Sequence, residues 1–331
     1  MGEPAGIGGE LTVKAWAQRT AASPCFFAID DPDRLRAIAA QLHLRVPVMP
    51  IGEPGDAAAA FASALPVLVE RLAVPAVAGQ PDSRNARAVI AAIDRAISLA
   101  IDGRIGAIVT NPISKKALLD VGFPDPGHTE YLGRRAGGGA MPVMMLVGGG
   151  LRVVPITVHM ALRDAIAALT GERIAATARI VAASLRHDFG IERPRLAIAG
   201  LNPHAGEQGA LGTEERDIIA PAIAVLRAEG LSVAGPLPAD TMFHERARSA
   251  YDAALCAYHD QALIPIKTIA FDEASNVTLG LPFVRTSPDH GTAFDIAGTG
   301  QANPASLIAS IGLAAELATR RADARPRRPD A

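Results

Sequence analysis

Three histidines in this 331-residue chain stand just beyond short aliphatic runs: His159 after RVVPITV, His204 after RLAIAGLNP and His259 after AALCAY. In open α/β sheets the carboxyl ends of the strands form the ligand-binding edge, so histidines delivered there can converge on one metal ion. Imidazole suits zinc and related divalent ions, and three protein ligands leave one coordination position open for chemistry. Taken singly, each histidine reads first as core or surface filler; the set of three points to a shared site. Two aspartates stand beside them. Asp260 adjoins His259 in YHDQ, and Asp240 lies in the Pro-rich GPLPADTMF. Carboxylates near a cation orient its ligands or solvent. The competing reading of Asp240 is a helix N-cap before Thr-Met-Phe.

A second group suits an anion. GHTEYL sets His128 and Thr129 at an expected helix start, where free N–H groups and the helix dipole favour phosphate. Lys267, Asn276 and Arg285 follow His259 at short intervals, and Lys, Arg and amide together make a phosphate or carboxylate clamp. Both cations sit amid apolar or turn residues, which argues against simple surface ion pairs. A third group is the stretch HGTAFDIAGTGQANPAS from His290 to Ser306, whose small residues let backbone wrap a flat ligand closely. No GxGxxG follows a strand, so a Rossmann cofactor site is not expected; the plain alternative for this stretch is a surface loop.

Elements to carry these groups are legible. Cys25–Ile29, Gly106–Thr110, Val143–Val147, Arg152–Thr157, Arg195–Ala199 and Ala253–Tyr258 read as buried strands. Ser83–Ile101, Glu172–Asp188 and Glu214–Glu229 read as helices, and another is expected from Ser306 to about Ala318. Strands apolar on both faces predict a largely parallel sheet covered by helices. The Ala-rich stretch 57–78 resists assignment. From Arg320 onward the charged, Pro-broken RRADARPRRPDA predicts a frayed tail. At the other end, the Gly-rich GEPAGIGGEL opens directly after Met1, although such turns normally follow a strand. A strand upstream of Met1 is therefore expected, lost through trimming or a mis-assigned start codon.

Composition narrows the class. The length predicts two domains. With 32 Lys+Arg against 34 Asp+Glu, net charge −2, global attraction to nucleic acid or acidic membranes is excluded. Two cysteines, Cys25 and Cys256, make no disulfide framework and fit a reducing cytoplasm. No apolar run approaches the about 18–20 residues of a membrane helix.

The segments MGEPAGIGGEL, TNPISKKALL, PGHTEYLG, GLNPHAGEQGALGTEE, GPLPADTMF, YHDQALIPIK and NVTLGLPFVRTSPDHGTAFDIAG together resemble the 4-hydroxythreonine-4-phosphate dehydrogenase family of pyridoxal phosphate biosynthesis, in the same order from Gly2 to about Leu317. The resemblance implies a two-domain α/β/α sandwich of the isocitrate/isopropylmalate dehydrogenase type, a homodimer with its active site between domains and drawing on both subunits. It implies a cofactor-side domain from 1–125 plus 280–320 and a metal, substrate and dimerisation domain over 126–279, while the composition of 321–331 predicts a disordered tail. The family's three metal ligands fall on His159, His204 and His259 and its supporting aspartates on Asp240 and Asp260. Its substrate contacts fall on His128, Thr129, Lys267, Asn276 and Arg285; Lys267 and a metal-bound hydroxide are both candidates for the general base. The departures are the missing first strand and Gly9, where the family usually has Pro.

The 290–306 stretch also resembles the adenosine-wrapping loop of isopropylmalate dehydrogenases. This resemblance implies cofactor contacts at His290, Gly291, Thr292, Asp295, Ile296 and Asn303, with Asp295 facing the ribose hydroxyls and favouring NAD over NADP. The expected activity is oxidation of 4-phosphohydroxy-L-threonine at C3, then decarboxylation, with zinc, magnesium or cobalt. Rival expectations are a paralogue acting on a four-carbon sugar-acid phosphate or an aromatic cis-dihydrodiol carboxylate, and a non-catalytic metal-dependent binding protein.

Overall fold

The computed structural model describes residues 1–125, 127–137 and 141–324, a mixed α/β fold in two compact units. The first comprises Met1–Pro142 and Leu281–Ala318; the second comprises Val143–Gly280 and the chain from Thr319. The first segment thus runs to Pro142 rather than to about 125, and it carries His128 and Thr129 with it.

In chain order the elements are α1 (Gly8–Ala17), β1 (Ala28–Asp30), α2 (Pro32–Gln41), β2 (Val48–Ile51), α3 (Ala57–Phe61), β3 (Leu65–Val69), α4 (Ala86–Ile101), β4 (Ala107–Val109), α5 (Lys115–Leu119) and α6 (His128–Ala136). There follow β5 (Val143–Gly148), β6 (Leu151–Pro155), α7 (Leu162–Ala168), α8 (Gly171–His187), β7 (Arg195–Ala199), α9 (Ala220–Ala228), β8 (Ser232–Leu237), α10 (Glu245–Arg248), β9 (Ala253–Cys256), α11 (His259–Ala270), β10 (Ser275–Leu279), β11 (Val284–Pro288) and α12 (Ala305–Asp323).

In the first unit β1, β3 and β2 lie side by side and parallel, and β4 pairs parallel with β11. Leu65, Val67 and Leu68 of β3 are essentially fully buried, as a central strand requires. The stretch that resisted assignment is thus a short helix and a strand, too brief for either period to show. α2 starts where its sequence says it should: Pro32 occupies the first turn, and the Asp31 carboxylate accepts the Asp33 N–H.

In the second unit six strands run in the order β10-β5-β6-β9-β7-β8. Pairings among β6, β9, β7 and β8 are parallel, whereas β5 is antiparallel to both β10 and β6. Most strand pairings are parallel, as expected; the exception is β5, which Gly149 and Gly150, both with positive φ, fold back into β6 as an antiparallel hairpin and which also pairs antiparallel with β10. α8 covers the sheet with a stripe, Ile174, Ala178, Val181 and Leu185, spaced for one helical face, and Thr170 caps its start by accepting the Arg173 N–H. The expected helix 214–229 is divided: Glu215–Ile219 is a π-helical turn, and α9 continues from it.

The expected frayed tail is corrected over its first residues. α12 runs through Asp323, because Arg321 pairs through two nitrogens with the Asp188 carboxylate (2.7 and 3.0 Å) and Arg320 donates to the Phe189 carbonyl. Residues 325–331 of that expectation lie outside the described residues. Cys25 is exposed and Cys256 buried, and both are free thiols. No helix among the described residues is long and apolar enough to cross a membrane.

Candidate active site

In the second unit the parallel neighbours β6, β9, β7 and β8 present their carboxyl ends along one edge. The residues following these ends include His159, His259, His204 and Asp240 respectively. Pro155 of β6 pairs with Cys256 of β9, and the Ile156 N–H donates to the Cys256 carbonyl at 2.8 Å, so the two strands finish level. This brings His159 and His259 together, with ring centroids 5.8 Å apart and planes 46° apart. His259 Nδ1 lies 2.8 Å from Asp260 Oδ1. A carboxylate there holds the proton on Nδ1 and leaves Nε2 as the donor to a cation.

His159 (φ 49°) and His204 (φ 52°) both have left-handed backbone. Such conformations cost about 1–3 kcal/mol outside glycine and persist where the surroundings over-determine them, often at functional sites. At His204 the surroundings are clear. Residues 204–208 are left-handed throughout, and Glu215 anchors the turn by accepting the Asn202 N–H at 2.7 Å and Asn202 Nδ2 at 2.9 Å. A Cβ at Gly206 would stand 2.5 Å from Glu215 Oε2, so only glycine fits (φ 76°). Gln261 on α11 ties the neighbouring ends together, accepting the Ala257 N–H at 2.7 Å and donating to the Gly200 carbonyl at 2.8 Å.

Among the described residues no group of three or more His, Cys, Asp and Glu side chains is set to hold a metal ion. Within one chain the fold pairs His159 with His259, and His204 is exposed and does not join them. As a donor set the pair suits a divalent ion, because it offers two imidazoles, one of them oriented by a carboxylate. Asp240 is exposed inside a short 3-10 turn (Ala239–Thr241) whose N-cap is Pro238, so the capping alternative for it is wrong. Lys267 is half-buried near the end of α11, its Nζ 5.6 Å from the Phe271 ring centroid. Asn276 lies on β10 opposite Leu146, with its Oδ1 buried and lacking a hydrogen-bond partner.

In the first unit α6 begins at His128, with Gly127 in the N-cap position and no side-chain cap. Its first-turn N–H groups are therefore the kind of anion-binding donors the sequence predicts. Arg285 lies on β11 opposite Ile108 of β4, is 4% exposed, and donates from Nη2 to Thr110 Oγ1 at 2.6 Å. Burial lowers its guanidinium from the ordinary 12.5 to about 10, while Glu130 acts in the opposite direction. Burial, and after it the Arg285 charge, pulls the His128 imidazole well below its ordinary value. Its Nε2 is buried without a hydrogen-bond partner. Thr129 is half-buried in the first turn of α6. A desolvated cation beside a buried imidazole and a helix start favours an incoming phosphate.

The loop following β11 belongs to the same unit. Ile7 N–H donates to the Thr292 carbonyl at 3.1 Å, and a Cβ on Gly6 would come within 2.9 Å of that oxygen. Glu10 Oε1 accepts the Ala302 N–H at 3.2 Å, and Lys14 Nζ donates to the Gly300 and Ala302 carbonyls, each at 2.7 Å. Gly291 and Asp295 are exposed, Ile296 is half-buried, and Asn303 Oδ1 accepts the Ala305 N–H at the start of α12. His290 Nδ1 lies 3.1 Å from the Gly291 carbonyl and its Nε2 is buried without a hydrogen-bond partner. That orphaned nitrogen and the exposed Asp295 carboxylate are compatible with a nucleotide's hydroxyl groups.

Sequence reasoning missed Thr110, Glu215, Asn202, Gln261 and the Glu10–Lys14 pair as supports. Four of these motifs were visible (TNP, GLNPHAG, GTEE, YHDQ), but nothing in their spacing pairs Thr110 with Arg285 or Asn202 with Glu215.

The family model described as pyridoxal phosphate biosynthetic protein PdxA matches residues 22–314. A Methylorubrum populi protein named 4-hydroxythreonine-4-phosphate dehydrogenase is 56% identical over 330 residues, covering 98% of this chain and 94% of its own length. A crystal structure of 4-hydroxythreonine-4-phosphate dehydrogenase from Klebsiella pneumoniae superposes with a TM-score of 0.87 at 38% identity, covering 96% of this chain and 98% of its own. A terephthalate 1,2-cis-dihydrodiol dehydrogenase from Burkholderia xenovorans is more distant, with a TM-score of 0.63 at 30% identity over 95% of this chain and 96% of its own.

Proposed function

The chain belongs to the family of the pyridoxal phosphate biosynthetic protein PdxA, and from that premise we propose that it oxidises 4-phosphohydroxy-L-threonine at C3 with NAD, followed by loss of CO2 to give 3-amino-2-oxopropyl phosphate. It is an oxidoreductase, and a dehydrogenase of this family implies a nicotinamide nucleotide and a metal. When bound, a divalent ion supplies Lewis acidity toward a substrate hydroxyl and the nucleotide supplies a hydride acceptor.

In this reading His159, His204 and His259 hold the ion, which is zinc, magnesium or cobalt, and Asp260 keeps His259 in the binding tautomer. Asp240 orients solvent or a ligand beside them. His128, Thr129, Lys267, Asn276 and Arg285 hold the substrate. Fixing the phosphate positions C3 against the nicotinamide, an orientation effect worth up to about 7–11 kcal/mol. Lys267 moves the proton of the C3 hydroxyl. His290, Gly291, Thr292, Asp295, Ile296 and Asn303 wrap the nucleotide, and the Asp295 carboxylate repels a 2′-phosphate, which favours NAD over NADP.

A homodimer belongs to the same proposal. Its support is that one chain pairs only two of the three imidazoles among its described residues, so a second copy of the chain is the source of the completing ligand.

The observation that carries the reading is the His159–His259 pair, with its Asp260 orienter, at the sheet edge where ligands bind. A steady-state assay with 4-phosphohydroxy-L-threonine and NAD tests it. Turnover lost on chelation and restored by zinc, cobalt or magnesium is expected; turnover indifferent to chelator refutes the metal role. The dihydrodiol alternative is disfavoured by the buried Arg285 beside His128, which suits a phosphate. A purely binding role is disfavoured because every expected ligand position is occupied by the expected residue type.

A further inference from the structure

The segment TNPISKKALL (110–119) leaves the carboxyl end of β4 and enters α5. Its first residue, Thr110, accepts the bond from Arg285 Nη2. Its sixth, Lys115, opens α5, where the Ser114 hydroxyl caps the helix by accepting the Ala117 N–H. A cation gains nothing at such an end, because the free backbone N–H groups there already carry positive charge. Lys115 is exposed, and among the described residues its ammonium takes no ion pair or hydrogen bond. Local electrostatics therefore give no reason for a lysine at this position.

Packing decides where that ammonium stands. Leu118 of α5 is 1% exposed and is buried in one cluster with Phe123 and with Tyr131 and Leu132 of α6. The cluster seats the start of α5 beside the start of α6. The point that a Cβ on Gly127 would take lies 3.7 Å from Lys115 Nζ and 2.9 Å from Glu130 Oε2. Gly127 is the N-cap of α6 and has no side chain, so the ammonium stands next to the first free N–H groups of that helix. Glu130 also supports the charge on Arg285 against the cost of burial. One carboxylate is thus shared between an exposed cation and a buried one. The buried His128 Nε2, which lacks a hydrogen-bond partner, belongs to the same helix start.

We propose that Lys115 is a further binding residue for the substrate's phosphate, its ammonium closing on the anion at the start of α6 as a second cation beside the fixed Arg285. The inference rests on the phosphate reading of His128 and Arg285. A phosphate carries close to two charges and several acceptor oxygens, so one guanidinium leaves it incompletely neutralised. The division of labour follows from the two side chains. Arg285 is held rigidly by burial and Thr110, whereas Lys115 is a point charge on a flexible stem that can follow the ligand in. Glu130 is the charge that the phosphate must outcompete.

The variants Lys115→Met, Lys115→Arg, Glu130→Gln and Lys115→Met with Glu130→Gln are compared with the parent and with Arg285→Met. For each holoenzyme KM and kcat for 4-phosphohydroxy-L-threonine, the Ki of inorganic phosphate as a competitor and the Tm are measured. Lys115→Met is expected to raise KM and Ki about 5- to 20-fold with kcat within about twofold of the parent. Its Tm should stay level, because the side chain is exposed, and Lys115→Arg should recover most of the loss. The loss should persist when Glu130 is already Gln. A loss that disappears in that background overturns the proposal, since Lys115 then only neutralises Glu130. Unchanged KM and Ki in Lys115→Met overturn it too. If Arg285→Met is impaired in that case, the phosphate reading stands and Lys115 lies outside it; if Arg285→Met is also unimpaired, the phosphate reading falls as well.

Discussion

Arg285→Met separates a binding role from a structural one. In the folded protein the Arg285 guanidinium is 4% exposed and its affinity for a proton falls from 12.5 to about 10, chiefly through burial. That difference corresponds to about 3 kcal/mol disfavouring the charged form in the fold. Methionine has a similar volume and carries no such penalty, but it abandons the bond to Thr110 Oγ1, a loss of about 1 kcal/mol. The variant is therefore expected to be as stable as the parent or up to about 2 kcal/mol more so, which places its Tm level or a few degrees higher. Binding should move the other way. A desolvated guanidinium donating to a phosphate contributes about 2–4 kcal/mol, so kcat/KM for the phosphorylated substrate should fall about 30- to 1,000-fold. The rise should fall mainly on KM, because phosphate contacts are made equally in ground and transition states. Calorimetry in the absence of substrate and steady-state kinetics give the two numbers. A variant destabilised by more than about 3 kcal/mol with an unchanged KM would refute the reasoning and make Arg285 a structural cation.

Other perturbations have equally definite outcomes. The His128 imidazole is held well below its ordinary 6.5 by burial and by Arg285, so below that pH the unfolded chain binds the extra proton and the folded chain does not. Stability should therefore fall as pH drops below about 6.5 and recover above it, and His128→Gln should flatten the Tm profile between pH 5 and 7; an unchanged profile would show that this imidazole does not matter. His204→Ala should abolish metal-dependent turnover while leaving the Tm nearly unchanged, since open catalytic sites contribute less to stability than closed structural ones; retained turnover would remove His204 from the ligand set. Asp295→Asn should lower the ratio of kcat/KM for NAD to that for NADP, and an unaltered ratio would place the ribose elsewhere. Arg321→Ala leaves Asp188, itself 3% exposed, without its bidentate partner, so a loss of about 1–3 kcal/mol is expected by chemical denaturation; no loss would mean that the last turn of α12 is not anchored there.

The placement of several candidate site residues relative to strands and helices could be read from the linear chain, because that information is local. A run such as RVVPITV followed by His159, or AALCAY followed by His259, is strand then ligand-edge residue in any parallel sheet, and both histidines do follow strand ends. Gly127 before His128 marked the start of α6 for the same reason, since a helix N-terminus depends only on its own residues. Strands β10 and β11 and the reversal between β5 and β6 escaped notice, because pairing direction depends on partners distant in sequence. Asp188 likewise turned an apparently frayed Arg320–Arg321 segment into helix, a contact across more than 130 residues that no local pattern contains.

Residue type and order carry the chemistry proposed for this protein: imidazoles for a cation, Lys, Arg and a helix start for an anion, and small residues for a flat ligand. Only the tertiary structure decided which of those groups meet. It set β6 level with β9, so that His159 faces His259, and held His204 apart on its left-handed turn. It buried Arg285 against Thr110 beside His128 and left an apolar cavity lined by β1 and β4. The reason is physical: side-chain chemistry is a property of each residue alone, whereas distance, desolvation and unsatisfied strand edges are properties of the packed chain.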